Sequence, residues 1–182
     1  MAVRYLKESK SVLERSKDDA KVRYIVEETL ADIEKRGDAA IRDLAQKFDN
    51  YFRPSYKLSP DEIDSLIAEV APRDIEDIKF AQTQVRRFAE AQRASMTDIE
   101  IETMPGIILG HKNIPVQSVG CYVPAGRFPM VASAHMSVLT AAVAKVPRIV
   151  ASTAPFNGKP NAAVIAAMHM AGAHEIYVLG GI

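Results

Sequence analysis

The chain has 182 residues, 48% of them hydrophobic, which is enough for one large domain or two small ones with a buried core. Its 23 Lys and Arg balance 23 Asp and Glu, so it lacks the net charge that binding to nucleic acid or anionic lipid usually needs. A single cysteine excludes an internal disulfide, and no apolar run reaches the ~20 residues of a bilayer span. We therefore expect a soluble cytoplasmic protein that binds neither nucleic acid nor membranes.

Helical spacing of apolar residues dominates the first part of the chain. It predicts a helix over about 17–36, ended by Gly37 in a left-handed conformation. Asp38 is placed to cap a second helix that runs to about Phe48. The inward face of this second helix is predicted to consist of Ile41, Leu44, Ala45 and Phe48.

The next two helices have clear start signals. Ser59, Pro60 and Glu62 have the spacing of a capping box, with a hydroxyl at the N-cap, a proline at the first helical position and a carboxylate at the third. Pro72 opens a fourth helix that reaches about Ala94. We interpret the charged residues along these helices as solvated surface.

After Met96 the pattern changes from helical to strand-like. Short apolar stretches at 99–101, 107–109 and 114–116 are bounded by Pro and Gly, which favours short strands. The rest of the chain then alternates between strands and helices. Strands are predicted at 119–123, 148–152 and 175–179, and helices at about 136–146 and 160–171.

The order βαβαβ predicts an α/β fold with a parallel sheet and right-handed crossovers. We divide the chain into a mainly helical N-terminal region with short strands, 1–115, and an incomplete Rossmann-like unit, 116–182. Ligands of such sheets bind outside the carboxyl ends of the strands. The candidate site is therefore expected in the loops at 124–133, at 153–160 and from 180 onward.

Several common sites are not encoded. The turn at 124–129 has no GxGxxG, and the chain contains neither a P-loop nor a GxSxG elbow. The four histidines form no HExxH pair and no cluster with carboxylates at metal-ligand spacing, so we expect no complete zinc site. Cys121 lies in an apolar strand and is interpreted as a small buried residue.

Three stretches of the second half resemble the histidinol dehydrogenase family. They are 119–129 (VGCYVPAGRFP), 144–150 (AKVPRIV) and 171–181 (AGAHEIYVLGG). The upstream segments that follow the family's order and spacing are RGDA at 36–39, KFD at 47–49, 87–92 and PGIILG at 105–110. The resemblance covers nearly the whole chain, which is similar to the first two fifths of such an enzyme.

The resemblance implies a zinc- and NAD-dependent dehydrogenase that oxidises a primary alcohol through an aldehyde to a carboxylate in two hydride transfers. The family's zinc ligands and its Glu-His acid–base pair would lie beyond Ile182, so no catalytic residue or metal ligand is assigned here, and the chain alone is expected to be inactive. Tyr122 matches the family's NAD contact, and Gly126 is implied to let the backbone approach the cofactor. Ala125 replaces a glycine of this turn, at a position that can need a positive φ.

His135 is the candidate substrate-binding residue. The stretch 130–137 (MVASAHMS) is more similar to the sulfopropanediol 3-dehydrogenase branch of the family, which oxidises a small sulfonated diol. A histidine at a helix start can donate to an anion together with free backbone N–H groups, which suits a sulfonate. The alternative is a packed histidine whose ring is hydrogen-bonded to the backbone.

Three interpretations of function stay open. The first is the N-terminal part of a dehydrogenase of this family that acts on a sulfopropanediol-like alcohol or L-histidinol, and the second is histidinol dehydrogenase proper in histidine biosynthesis. The third is a non-catalytic, folded or dimerising remnant, because the zinc ligands and acid–base groups are absent. Since parallel sheets are normally covered on both faces, we also expect an exposed apolar edge or face and a homodimer or other self-association.

Overall fold

A computed structural model describes residues 12–180 and confirms the predicted α/β class. The helices are α1 (Val12–Arg36), α2 (Asp38–Asp49), α3 (Pro60–Ala68), α4 (Pro72–Ala94), α5 (Val131–Ala134), α6 (Thr140–Val143) and α7 (Ala162–Ala171), with a π-helical turn (His135–Leu139) joining α5 to α6. The strands are β1 (Ile99–Met104), β2 (Ile107–His111), β3 (Ser118–Tyr122), β4 (Arg148–Thr153) and β5 (Glu175–Val178). No helix in this range is both long and apolar enough to span a bilayer.

The strands form two separate sheets. β1 and β2 make an antiparallel hairpin, and β3, β4 and β5 make a parallel sheet in that order. In the parallel sheet Tyr122 lies opposite Ser152, and Ser152 lies opposite Tyr177. The carboxyl ends of the three strands therefore meet at one edge.

The two lateral edges of the parallel sheet differ. The segment 56–58 runs along the outer edge of β5, where the Leu58 N–H donates to the Ile176 carbonyl and the Val178 N–H donates to the Tyr56 carbonyl, each at 2.9 Å. Among residues 12–180 no strand lies beside the outer edge of β3. That edge presents unpaired backbone groups.

The two faces of the parallel sheet also differ. The residues buried on one face are Cys121, Val123, Ile149, Ala151, Thr153, Ile176 and Val178. Helix α7 and the π-helical turn contact this face, and helices α3 to α6 pack on α7 or on that turn. The alternate residues, Gly120, Tyr122, Val150, Ser152 and Tyr177, lie on a face that is exposed or half-buried. We call these the covered face and the open face.

The first two helices differ in detail from the prediction. α1 is already helical at Val12, the first described residue, rather than only from near residue 17, and Gly37 has φ 56° and ψ −133°, which is not left-handed helical. Gly37, not Asp38, is the N-cap of α2. The Gly37 N–H donates to the Ile33 carbonyl at 2.7 Å, while its own carbonyl accepts from α2. One glycine thus ends one helix and starts the next, which leaves Asp38 inside the first turn.

The starts of α3 and α4 are confirmed. The Ser59 hydroxyl accepts from the Glu62 N–H at 3.2 Å, and the Glu62 carboxylate accepts from the Ser59 N–H at 2.8 Å, which is a complete capping box. α4 begins at Pro72 and ends at Ala94. These boundaries depend on side chains within one turn of the helix end, so the sequence alone reveals them.

Two features of the second half were predicted wrongly. Residues 114–116 belong to no strand. The helix expected over 136–146 is interrupted by the π-helical turn and ends at Val143, after which Lys145 has a left-handed φ of 62°. A π-helical turn inserts one residue into the helical repeat, and the spacing of apolar residues does not show it.

Candidate functional site

A cleft of about 340 Å³ opens at the edge where the three parallel strands end. The sheet contributes Tyr122 and Ser152, and the segment that follows β5 contributes Leu179 and Gly180. The opposite wall is the apolar side of α2, formed by Ile41, Leu44 and Ala45. This is the edge at which the strand order predicted a ligand site.

Tyr122, the candidate NAD contact named from the sequence, lines this cleft. It is the last residue of β3, and its side chain is 52% exposed. Side chains alternate between the faces of a strand, so the burial of Cys121 and Val123 in the covered face turns Tyr122 to the open face. The interpretation of Cys121 as a buried residue is confirmed, and burial raises the pKa of its thiol.

Ser152 was not identified from the sequence. It lies opposite Tyr122 in the central strand, and no hydrogen bond engages its hydroxyl within residues 12–180. Its neighbour Thr153 points to the covered face, where the Thr153 hydroxyl donates to the Val123 carbonyl at 2.7 Å. The alternation along 148–153 was the available signal, because it places Ser152 on the same face as Tyr122.

The floor of the cleft depends on a close approach at Gly180. A Cβ at this position would lie 2.6 Å from the Ala154 Cβ and 2.8 Å from the Ala154 Cα. These separations are too short for any side chain. Glycine therefore lets the chain that leaves β5 pass directly against the loop that leaves β4.

The α2 wall was predicted as core, and the structure places it at the site. Ile41 and Leu44 are half-buried and face the cleft, whereas Phe48, predicted on the same inward face, is 51% exposed. The sequence predicts which side of α2 is apolar, but what that side faces is determined by residues more than 75 positions further along the chain, at 122, 152 and 179–180.

The cleft carries no charge on its lining residues. Asp49 is one turn beyond Ala45 on α2, and burial raises the pKa of its carboxyl. One of its carboxylate oxygens is buried without a hydrogen-bond partner in the part of the chain that is described. The walls thus favour an uncharged, largely apolar ligand group.

Gly126 and Ala125 lie in the loop after β3 and do not line the cleft. Neither has a positive φ, so this loop accommodates Ala125, which is 1% exposed, without left-handed backbone. A Cβ added at Gly126 meets nothing within 4 Å. No neighbouring atom of the described residues would therefore clash with a side chain at position 126. That Gly126 lets the backbone approach a cofactor stays a prediction.

The placement of His135 at a helix start was wrong, because the four residues of α5 precede it and the helix continues into the π-helical turn. There His135 is 6% exposed and does not line the cleft. Its Nδ1 is 3.3 Å from the amide nitrogen of Gln82, which also donates to the Ala167 carbonyl at 2.9 Å. Since that amide nitrogen is the donor, Nδ1 accepts, and the neutral ring carries its proton on Nε2. Burial lowers the pKa of His135. Its contact with substrate stays a prediction.

The described residues do not fit a zinc ion. Within 12–180 no group of three or more His, Cys, Asp or Glu side chains is placed to hold a metal, whereas a zinc site needs three or four converging ligands.

Comparisons with known proteins agree with the motifs. A family model described as histidinol dehydrogenase matches residues 13–182. The chain is 53% identical to a histidinol dehydrogenase homolog of Shouchella clausii, 45% identical to sulfopropanediol 3-dehydrogenase of Ruegeria pomeroyi and 32% identical to histidinol dehydrogenase of Methanosarcina barkeri. These matches cover 98%, 100% and 96% of this chain and 42%, 41% and 40% of those proteins.

The fold agrees as well. The crystal structure of histidinol dehydrogenase from Elizabethkingia anophelis has a TM-score of 0.81 and 25% identity, covering 97% of this chain and 38% of that one. The chain thus spans about two fifths of the length of the curated relatives it matches. Sequence, motif order and fold together show that the chain belongs to the histidinol dehydrogenase family.

Proposed function

We propose that the chain forms the nucleotide-binding part of an NAD-dependent dehydrogenase that oxidises a small primary alcohol to a carboxylate. The observation that carries the proposal is the uncharged cleft at the carboxyl edge of the parallel sheet, with Tyr122 exposed in it. Family membership supports the reaction class. Bound NAD would supply the hydride acceptor for both oxidations: one NAD would be reduced by the alcohol and a second by the hydrated aldehyde, with water providing the second oxygen of the carboxylate.

The chain's own residues bind and orient the cofactor. The ring of Tyr122 offers a flat apolar surface for stacking and a hydroxyl at its tip. The following loop is already fixed, because the Val123 N–H donates to the Ser152 carbonyl at 2.8 Å and the Met130 N–H donates to the Pro124 carbonyl at 2.9 Å. A fixed loop lowers the entropy cost of ordering the site on binding.

The substrate we propose is a small sulfonated diol, with L-histidinol as the alternative. The greater identity to the sulfopropanediol 3-dehydrogenase, 45% against 32% and 36% for the histidinol dehydrogenases of Methanosarcina barkeri and Rhizobium meliloti, supports the diol. His135 would contribute through its Nε2–H, since Nδ1 accepts from Gln82. As a neutral donor it can bind an anion without first being protonated.

NAD binding to the purified chain tests the cofactor role. Calorimetric titration with NAD should show binding that Tyr122→Ala weakens at least tenfold. Tyr24→Ala is the matched control, because Tyr24 is also an exposed tyrosine but lies on α1. Absence of NAD binding to the unaltered chain would contradict the proposal.

A chimera tests the reaction. The chain is fused to the remainder of the Ruegeria pomeroyi sulfopropanediol 3-dehydrogenase, and NADH formation is followed with the sulfonated diol and with L-histidinol. We expect oxidation of the diol by the chimera and none by the chain alone. A folded, NAD-binding chimera that oxidises neither alcohol would overturn the proposed reaction.

We also propose that copies of the chain associate. The hairpin has one face on which every apolar side chain is between 46% and 62% exposed, namely Ile99, Ile101, Met104, Ile107 and Leu109. An isolated two-stranded hairpin is marginally stable unless a face is covered. Sedimentation should show a dimer or larger species that Leu109→Lys dissociates, with Glu100→Lys on the other face as control. A concentration-independent monomer would favour a closed, non-associating chain.

A further inference from the structure

The side chain of Ser152 lines the cleft and takes no part in the hydrogen bonds of the fold within residues 12–180. Its hydroxyl is without a hydrogen-bond partner in the described range and lies on the open face opposite Tyr122. The adjacent Thr153 hydroxyl, by contrast, is fully buried and donates to the Val123 carbonyl. The strand thus uses one hydroxyl for the core and leaves the next one facing the cleft.

The position of Ser152 is rigid. It belongs to β4, which is paired on both sides in the parallel sheet, and its carbonyl accepts from the Val123 N–H. The close approach of Gly180 to Ala154 fixes the floor beside it. A serine on a central strand is better placed to set ligand specificity than one on a mobile loop.

The size and charge of the cleft limit what can occupy it. Its volume of about 340 Å³ lies at the lower end of the ~300–1,000 Å³ of small-molecule sites. Among its lining residues no Arg or Lys is available to pair with a phosphate. The cleft therefore suits one flat, uncharged ring with a polar edge rather than a whole dinucleotide.

We infer that Ser152 is a specificity-determining contact of the cofactor site, and that the cleft holds one nitrogen heterocycle of the dinucleotide with its face on Tyr122 and its polar edge at the Ser152 hydroxyl. The α2 wall closes over the other side of the ring, and the phosphates remain outside. The inference rests on the proposed function, because it assumes that the ligand is NAD. Adenine and the nicotinamide amide both offer such an edge, and nucleoside probes separate them.

The test is titration of the chain with NAD, adenosine and nicotinamide riboside. Ser152→Ala removes one neutral hydrogen bond and should therefore lower the affinity for NAD about three- to tenfold relative to the unaltered chain. The affinity for the nucleoside that occupies the cleft should fall by the same factor. Ser152→Thr keeps the hydroxyl and should bind NAD within about twofold of the unaltered chain. Ser152→Leu fills the cleft and should abolish binding of that nucleoside.

Ser118→Ala is the matched control, because Ser118 lies on the same face at the opposite end of β3. It should leave all affinities unchanged, and thermal melts should show that each variant folds. Unchanged NAD affinity in Ser152→Ala, or binding of NAD with neither nucleoside bound, would overturn the inference and leave the proposed function standing. Failure of the unaltered chain to bind NAD would overturn the proposed function itself.

Discussion

The covered and open faces of the parallel sheet are formed by the same strands but differ in burial. On the covered face Val123, Ile149 and Val178 are at most 1% exposed. On the open face Tyr122 and Ser152 border a cleft. Because side chains alternate along each strand, one residue can stabilise the fold while its neighbour meets a ligand.

The open face itself divides into two ends with different chemistry. At the carboxyl end the lining residues of the cleft carry no charge. At the amino end Glu175 accepts hydrogen bonds from Arg148, Lys57 and Tyr177. The cleft and the charged cluster are therefore separated along one surface, so the effect of a variant at one end can be measured independently of the other end.

The largest expected effect comes from removing core volume on the covered face. Ile149→Ala deletes buried methyl groups in the central strand and should lower the free energy of unfolding by about 2–5 kcal/mol. Tyr122→Ala on the open face should lower it by less than about 1 kcal/mol. Urea unfolding of both variants measures the difference. Equal losses would mean that the two faces do not differ in their contribution to stability.

The second largest effect on stability is expected at Gln82 and His135, a buried polar pair in the helices over the covered face. Gln82→Leu leaves the His135 Nδ1 without its partner, so we expect a loss of about 1–3 kcal/mol. Replacing both residues by leucine removes the unpaired nitrogen as well. The double variant should therefore be more stable than Gln82→Leu alone in the same urea measurement; a purely additive result would show that the pair is not coupled.

The adjacent hydroxyls of Ser152 and Thr153 on β4 are expected to differ in their contribution to stability, by less than in the previous two comparisons. Thr153→Val removes the donor to the buried Val123 carbonyl and should cost about 1–2 kcal/mol of stability without a direct effect on ligand binding. Ser152→Ala should change stability by no more than about 0.5 kcal/mol. Calorimetric melts of the two variants provide the comparison. A larger stability loss for Ser152→Ala would mean that its hydroxyl supports the fold.

The features that the sequence predicted well are local. The capping box at Ser59 and Glu62 needs only residues within one helical turn. The strand order and the position of Tyr122 follow from apolar runs and a family motif within 119–129. Since each signal is contained in a short segment, no knowledge of tertiary packing was needed.

The features that the sequence missed depend on distant segments. Phe88 has helical spacing with the inward residues of α4, yet it is exposed, because periodicity does not show whether a partner lies opposite. The α2 wall faces the cleft only because β3, β4 and the residues after β5 meet there. Likewise, the contact of His135 with Gln82 joins residues 53 positions apart.

The smallest expected effect lies at the charged end of the open face. The Arg148 guanidinium donates to Glu175 at 2.7 Å, and the Lys57 ammonium and the Tyr177 hydroxyl each donate at 3.0 Å. Led by Arg148, these donors lower the pKa of Glu175 from 4.5 to about 2. The Arg148 and Lys57 side chains are about half exposed, so solvent and salt weaken the stabilisation.

The sign of the pH dependence follows from that lowered pKa. Between pH 4.5 and about 2 the unfolded chain takes up a proton at Glu175 that the folded chain does not, so stability is lost as the pH falls through this window. Glu175→Gln should therefore melt at a lower temperature than the unaltered chain near pH 7, by a few degrees at most, and the two melting curves should converge toward pH 2. Since the cleft lies at the other end of the open face, NAD affinity at neutral pH should be unchanged. A difference in melting temperature that persists undiminished at pH 2 would show that the carboxylate charge is not its source.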